Sequence, residues 1–132
     1  MDRARLAANP FFASLPDDEL DAVARIASGV DVAQGDALTT EGDFGHALFV
    51  VESGTADVTQ DGVRIGTVGA GDVVGEIAVL ASGRRTASVV ATSPLTLLSL
   101  FKTDVWALER EAPEAARRIR AALDSHAASA ST

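Results

Sequence analysis

Residues 47–75, ALFVVESGTADVTQDGVRIGTVGAGDVVG, break into short apolar and β-branched runs, each ended by a glycine-bearing turn. Ala47 to Val51 stops at Ser53-Gly54. Ala56 and Val58 face Val63 and Ile65 across Asp61-Gly62, a strong hairpin signal. Val68 then leads into Gly69-Ala70-Gly71-Asp72. The same rhythm continues outward. Val30 to Val32 precedes Gln34-Gly35-Asp36, and Ala37 to Thr40 precedes Glu41-Gly42-Asp43; Ala87 to Ala91 and Leu95 to Phe101 flank Thr92-Ser93-Pro94. All 11 glycines fall between Gly29 and Gly83. Glycine permits tight turns and weakens helices, so the middle of the chain is predicted to be strands and the flanks helical. Many short strands with no long helix between them point to an antiparallel sandwich or barrel, not a parallel α/β sheet.

The flanks agree. Leu15 to Ile26 sets Leu20, Val23, Ala24 and Ala27 on one helical face. Pro16 suits the first helical position, and Asp17, Asp18 and Glu19 suit the positive end of the helix dipole. Arg3 to Ala8 forms a shorter helix, with Phe11 and Phe12 as packing residues. From Lys102 the helical pattern returns: Val105, Trp106 and Leu108 are expected to face the core, with Thr103 or Asp104 as the cap. Pro113 interrupts near Ala112. A further helix runs to about His126 with Ala116, Ile119, Arg120 and Leu123 on one stripe, followed by a frayed small-residue tail.

Composition bounds the function. A chain of 132 residues fits one domain and buries a core without staples. It has no cysteine, which excludes a disulfide scaffold, a zinc finger and a thiol nucleophile. The net charge of -8 argues against a general nucleic-acid surface, which needs clustered cations. No apolar run approaches the ~20 residues of a membrane span, and the N-terminal residues lack the apolar core of a signal peptide. The expected location is the cytoplasm.

Enzymatic constellations are sparse. Gly69 to Gly75 resembles a dinucleotide fingerprint only superficially: its spacing is one residue too long, and no acid follows between Glu76 and Asp104. No P-loop is present. His46 and His126 are the only histidines, with no local ligand pair for a metal. No nucleophile elbow accompanies any serine. The carboxylates read as a solvated face. No catalytic residue, metal or cofactor is assigned.

One window departs from the acidic average. Ile77 to Thr103 holds no acid, and it carries Arg84 and Arg85 side by side. An anion there would meet the free N–H groups of a short helix start and the small Gly75. An arginine fork can grip two phosphate oxygens. Thr86 adds a hydroxyl, and the Glu76 carboxylate can accept from sugar hydroxyls. An anion site with a sugar reader beside it is the chemical expectation.

GEIAVLASGRRTASVVA, residues 75–91, resembles the phosphate-binding cassette of the cyclic nucleotide-binding domains. These occur in catabolite-activator-type regulators, kinase regulatory subunits and nucleotide-gated channels. The family pattern is Gly-Glu-hydrophobic-Ala-hydrophobic, a loop, an Arg nine residues after the Glu, a small residue, Ala, Ser/Thr and Val. Gly75, Glu76, Ile77, Ala78, Val79, Arg85, Thr86, Ala87, Ser88 and Val89 fit it. Leu15 to Ala24, Ala37 to Gly42 and Leu48 to Gly54 also resemble family segments, and Trp106 stands where an aromatic commonly anchors the hinge. Val74 replaces an aromatic often found before the Gly.

The resemblance implies an α+β, mainly β fold: an antiparallel β-roll (a double-stranded β-helix, jelly-roll-like) flanked by an N-terminal helix and two C-terminal helices. It covers 1–132 as one domain, with an N-terminal helical segment 1–28, the roll 29–101, a cassette 75–89, and hinge and lid helices 102–127. The implied ligand is cAMP or cGMP, with cAMP favoured. Arg85 would pair with the cyclic phosphate and Glu76 with the ribose 2′-hydroxyl. Gly75, Ile77, Ala78 and Ala87 would line the sugar-phosphate, and Thr86 would touch the phosphate edge or a guanine amino group. Val58 and Val68 would lie against the base, with Gly66 where some relatives carry a larger residue. Arg84 would stand outside the pocket. Arg117, Arg118, Ile119, Arg120 and Leu123 are the lid candidates.

A regulatory module, not an enzyme, is therefore expected, with a protein effector or a second copy as its partner and neither nucleic acid nor membrane. The alternatives are the sensing part of a larger transcription regulator, channel or transporter, and a degenerate β-roll kept for interactions. A metalloenzyme of the cupin type would need a histidine cluster.

Overall fold

The computed structural model describes residues 1–40, 42, 45–75 and 87–130, with side chains as far as residue 122. Two helices, α1 (Arg3–Ala7) and α2 (Asp17–Ile26), precede eight strands: β1 (Ser28–Val32), β2 (Ala37–Thr39), β3 (Ala47–Ser53), β4 (Ala56–Gln60), β5 (Val63–Val68), β6 (Val73–Val74), β7 (Ser88–Ala91) and β8 (Leu95–Phe101). Helices α3 (Lys102–Glu111) and α4 (Pro113–Ala130) follow. The strands form two four-stranded sheets, ordered β1-β8-β3-β6 and β2-β7-β4-β5. Every pair is antiparallel. The architecture is the expected mainly β roll with helices at both chain ends.

Strand β8 explains the layering. Successive side chains of a strand point to opposite faces. Leu95 and Leu97 enter an inner cluster with Val51, Ala56, Val74, Val89 and Ala91. Leu98 and Leu100 point the other way, into a second cluster with Leu6, Phe12, Leu20, Val23, Leu108 and Ile119 from the helices. β3 sorts identically, with Leu48 and Val50 toward the helices and Val51 toward the inner cluster. The ladder pairs Leu98 with Val50 and Leu97 with Val51. These two central strands are buried on both faces, which is why both read as near-continuous apolar runs. Each fully buried leucine contributes about 1.5–3 kcal/mol. In the second sheet, edge strand β5 is largely exposed, with Val63 at 63% and Ile65 at 58%.

Two turns depend on glycine. The β4–β5 hairpin closes through Asp61 (φ 53°) and Gly62 (φ 78°), the pair of positive φ angles that a two-residue type I′ turn requires. Gly54 (φ 93°) ends β3 where the chain passes the 92–95 turn; a Cβ on it would sit 2.2 Å from the Pro94 carbonyl oxygen. Thr55 binds the same turn: its N–H donates to Ser93 Oγ at 3.0 Å, and its carbonyl accepts from Thr92 N–H at 2.9 Å.

The helical layer is held by polar contacts as well as packing. Buried Asn9 donates through Nδ2 to the Val51 carbonyl at 3.0 Å and accepts from Phe11 N–H at 2.9 Å. Arg5 forks onto Glu52 at 2.6 and 2.7 Å, and that hydrogen bonding holds its guanidinium pKa above the ordinary value. Glu19 is buried on α2, and its Oε1 accepts from the N–H groups of Glu114 (2.9 Å) and Ala115 (3.0 Å). Pro113 has no N–H, so these are the first donors of α4, and a carboxylate of another helix caps them. Arg118 of α4 donates in return to the Phe11 carbonyl at 2.8 Å and to Ser14 Oγ. Among the described residues no helix is long and apolar enough to cross a membrane.

Several local expectations need correction. Pro16 is the N-cap of α2, in extended backbone (ψ 151°), not its first helical residue. Neither Thr103 nor Asp104 caps α3. Phe101 is the N-cap and makes no side-chain cap bond. Strand β8 runs directly into the helix, and Lys102 N–H is already taken by the His46 carbonyl at 2.9 Å. Trp106 does not face the core; it is 56% exposed while Val105 and Leu108 are buried. α4 extends past His126 to Ala130, which its alanines favour. β6 was hidden in the approach to the cassette because a two-residue run carries no periodicity.

Substitutions at Gly54, Gly62 and Glu19 check this account. Gly54→Ala is expected to cost about 2 kcal/mol or more through clash and positive φ, against about 1 kcal/mol for Gly62→Ala, whose Cβ meets open space. Denaturant midpoints give both values. Glu19→Ala is expected to cost about 1–3 kcal/mol by leaving buried N–H groups without an acceptor, and Glu19→Gln less. Faster amide exchange at Glu114 and Ala115 in the alanine variant would locate the loss.

Candidate functional site

β6 and β7 frame the site. The turn before β6 is tightly knit: Gly69 N–H donates to Asp72 Oδ2 at 2.8 Å, Gly71 N–H to the Val51 carbonyl at 2.8 Å, and Val51 N–H to the Asp72 carbonyl at 2.9 Å. Gly71 has φ 89°, and a Cβ there would meet Pro10 at 3.0 Å. Phe49 opposite Val74 and Val50 opposite Val73 fix β6 on β3. Gly75 follows immediately, half-buried at φ 87°, a conformation that a side chain at this position would strain.

The far side is fixed equally well. The Ala87 carbonyl accepts from Thr39 Oγ1 at 3.3 Å. Ser88 lies opposite Thr59, and Val89 opposite Val58. The chain thus leaves one sheet after Gly75 and re-enters the other at Ser88, so 75 and 87 bracket the passage between the sheets. Glu76, Ile77, Ala78, Val79, Arg84, Arg85 and Thr86 lie outside the described residues.

Val58 and Val68 are both half-buried and pack against the inner cluster. Gly66 is the ladder partner of Val58, and a Cβ on it would meet nothing within 4 Å. The wall beside Val58 is therefore open at Gly66. Arg120 is exposed and ion-paired with Glu109 of α3. Leu123 belongs to α4, and its side chain lies outside the described ones. Ile119 is buried in the helix-facing cluster, Arg117 pairs with Glu114 at 2.6 Å, and Arg118 is engaged with Phe11 and Ser14. Among the described residues, no group of three or more His, Asp or Glu could hold a metal ion.

The sequence reading missed one functional feature, the capping role of Glu19. Asp17, Asp18 and Glu19 all suit the positive end of the α2 dipole, yet only Glu19 turns inward to α4. The available signal was at the other end: Ala112-Pro113 offers α4 no side-chain cap, so an acceptor has to come from elsewhere.

Comparison with known proteins agrees with this geometry. The family model described as cyclic nucleotide-binding domain matches residues 30–111. A cAMP-dependent protein kinase regulatory subunit of Yarrowia lipolytica is 34% identical over 92 residues, which is 70% of this chain and 24% of that protein. The Cyclic AMP receptor protein of Thermus thermophilus is 32% identical over 120 residues, 87% of this chain and 56% of that protein. The chain therefore spans about a quarter of the first relative and little more than half of the second. The crystal structure of Thermus thermophilus Catabolite Activator Protein superposes with a TM-score of 0.80 at 32% identity, covering 92% of this chain and 60% of that one. The family is one of regulatory modules in which catalysis, where present, resides elsewhere. By the matched span and the two-sheet roll, the chain belongs to the cyclic nucleotide-binding domain family.

Proposed function

We propose that the chain acts as one regulatory unit that binds a cyclic mononucleotide, cAMP in preference to cGMP, and signals occupancy through α4. The observation that carries this reading is the sequence pattern Gly75-Glu76 followed by Arg85-Thr86, in a segment whose flanking strands β6 and β7 belong to different sheets. Arg85 holds the cyclic phosphate by a charge-assisted fork. Glu76 accepts from the ribose 2′-hydroxyl; Gly75, Ile77, Ala78 and Ala87 line the sugar-phosphate, and Thr86 touches its edge. Val58 and Val68 supply the apolar wall for the base. The two relatives above support cAMP, while a cGMP-dependent protein kinase of Toxoplasma gondii, 36% identical over 88 residues, keeps cGMP as the alternative ligand.

The contacts of α4 support a transmission route. Glu19 and Arg118 tie its first turns to residues 11–19. A swing of α4 then carries the N-terminal segment with it, and capping of the base falls to Arg120, released from Glu109, or to Leu123. The nucleotide drives the swing by binding the closed arrangement more tightly. A second reading, that the chain is the sensing part of a larger regulator, channel or transporter with its own effector, is supported by the fraction of each relative it spans.

Titration with fluorescent cAMP tests the site. Arg85→Ala is expected to weaken binding about 30-fold or more, since truncating one partner of a buried charge pair costs 2–5 kcal/mol. Arg84→Ala is expected to leave it nearly unchanged. Equal affinity of Arg85→Ala and wild type would remove the assigned site. In a thermal-shift series, cAMP at a hundredfold excess over Kd is expected to add about 2.7 kcal/mol of stability, with cGMP adding less and the 5′-monophosphates little.

A further inference from the structure

Trp106 is the single tryptophan of the chain, and α3 turns it into solvent while burying its neighbours Val105 and Leu108. It adds nothing to either core cluster. Lys102 lies one turn before it, with Nζ 5.4 Å from the ring centroid, and Arg110 lies one turn after. Residues four apart share a helix face, so the three form a continuous stripe. Trp106, Ala107, Arg110 and Glu111 line a shallow groove of about 320 Å³. Phe101, at the start of α3, is 51% exposed as well.

The charges give this face a sign. Glu109 is paired with Arg120 of α4, and Glu111 forms one edge of the groove. No ion pair among the described residues engages Lys102 or Arg110. A cationic, aromatic surface thus stands out on a chain of net charge -8. Trp and Arg are the residues that most often dominate binding energy at interfaces, and a cation over a tryptophan face gains as water is excluded.

We propose that the Lys102–Trp106–Arg110 face of α3 docks an acidic amphipathic segment of a partner protein. An apolar side chain of that segment covers the Trp106 ring, and carboxylates on either side meet Lys102 and Arg110. A second copy of this chain is the weaker occupant. Of the exposed acids on its α2, Asp17 and Asp21 are already paired with Arg3.

Tryptophan fluorescence reports on this face alone. The full chain is titrated with synthetic peptides of ~15 residues, long enough for a helix, in which Glu and Asp flank leucines, beside a charge-reversed set built with Lys and Arg. The expected result is a saturable blue shift with the acidic set only, weaker at high salt. Lys102→Glu with Arg110→Glu is expected to weaken it by about tenfold or more. Trp106→Ala, read by labelled acidic peptide, is expected to lose binding comparably while circular dichroism stays unchanged. No shift at millimolar acidic peptide, or an equal shift with both sets, overturns the proposal. A protein-concentration-dependent blue shift without peptide overturns it in favour of a second copy.

Discussion

Burial of the central strands β3 and β8 on both faces is the constraint on which the rest of this structure depends. β3 and β8 carry apolar side chains in both directions, so neither face tolerates water. The roll closes over one face with its second sheet, and the four helices close over the other. The two faces then do different work. The inner one packs against the second sheet, whose Val58 and Val68 join the inner cluster, while the outer one collects the elements at both chain ends. A change on either face is felt on the other, because the same strands carry both rows of side chains.

The helical layer adds a polar lock to that packing. A buried carboxylate stabilises the structure only when its hydrogen bonds are satisfied, and Glu19 meets the condition with two amides at the start of α4. Pro113 makes the arrangement economical: it ends α3, begins α4 and removes one donor that would otherwise need a partner. Arg118 works in the opposite sense, from α4 to the carbonyl of Phe11 and the hydroxyl of Ser14. Two reciprocal contacts thus join the N-terminal segment to α4, across about a hundred residues of sequence.

Much of the fold was legible because its signals are local. The Asp61-Gly62 hairpin, the strand Leu95–Phe101 and the break at Pro113 follow from turn chemistry, β-branching and the missing proline N–H, which act within a few residues. The family likeness of residues 75–91 rested on a long pattern of spacing and is supported by the match over 30–111. What failed was orientation. Trp106 has the composition of a core residue, yet the burial of Val105 and Leu108 fixes the phase of α3 and leaves the indole outside. Thr103 and Asp104 are good caps in isolation, but β8 enters the helix without a loop.

The sequence by itself determined the element types, the glycine turns and the presence of a cassette pattern, since each depends on the conformational preferences of neighbouring residues. Only the tertiary structure decided which face of each helix is buried, that Glu19 caps α4, and that β6 and β7, next to Gly75 and Ala87, belong to different sheets. These depend on contacts between residues far apart in the chain, where packing and the need to satisfy buried polar groups outweigh local propensity.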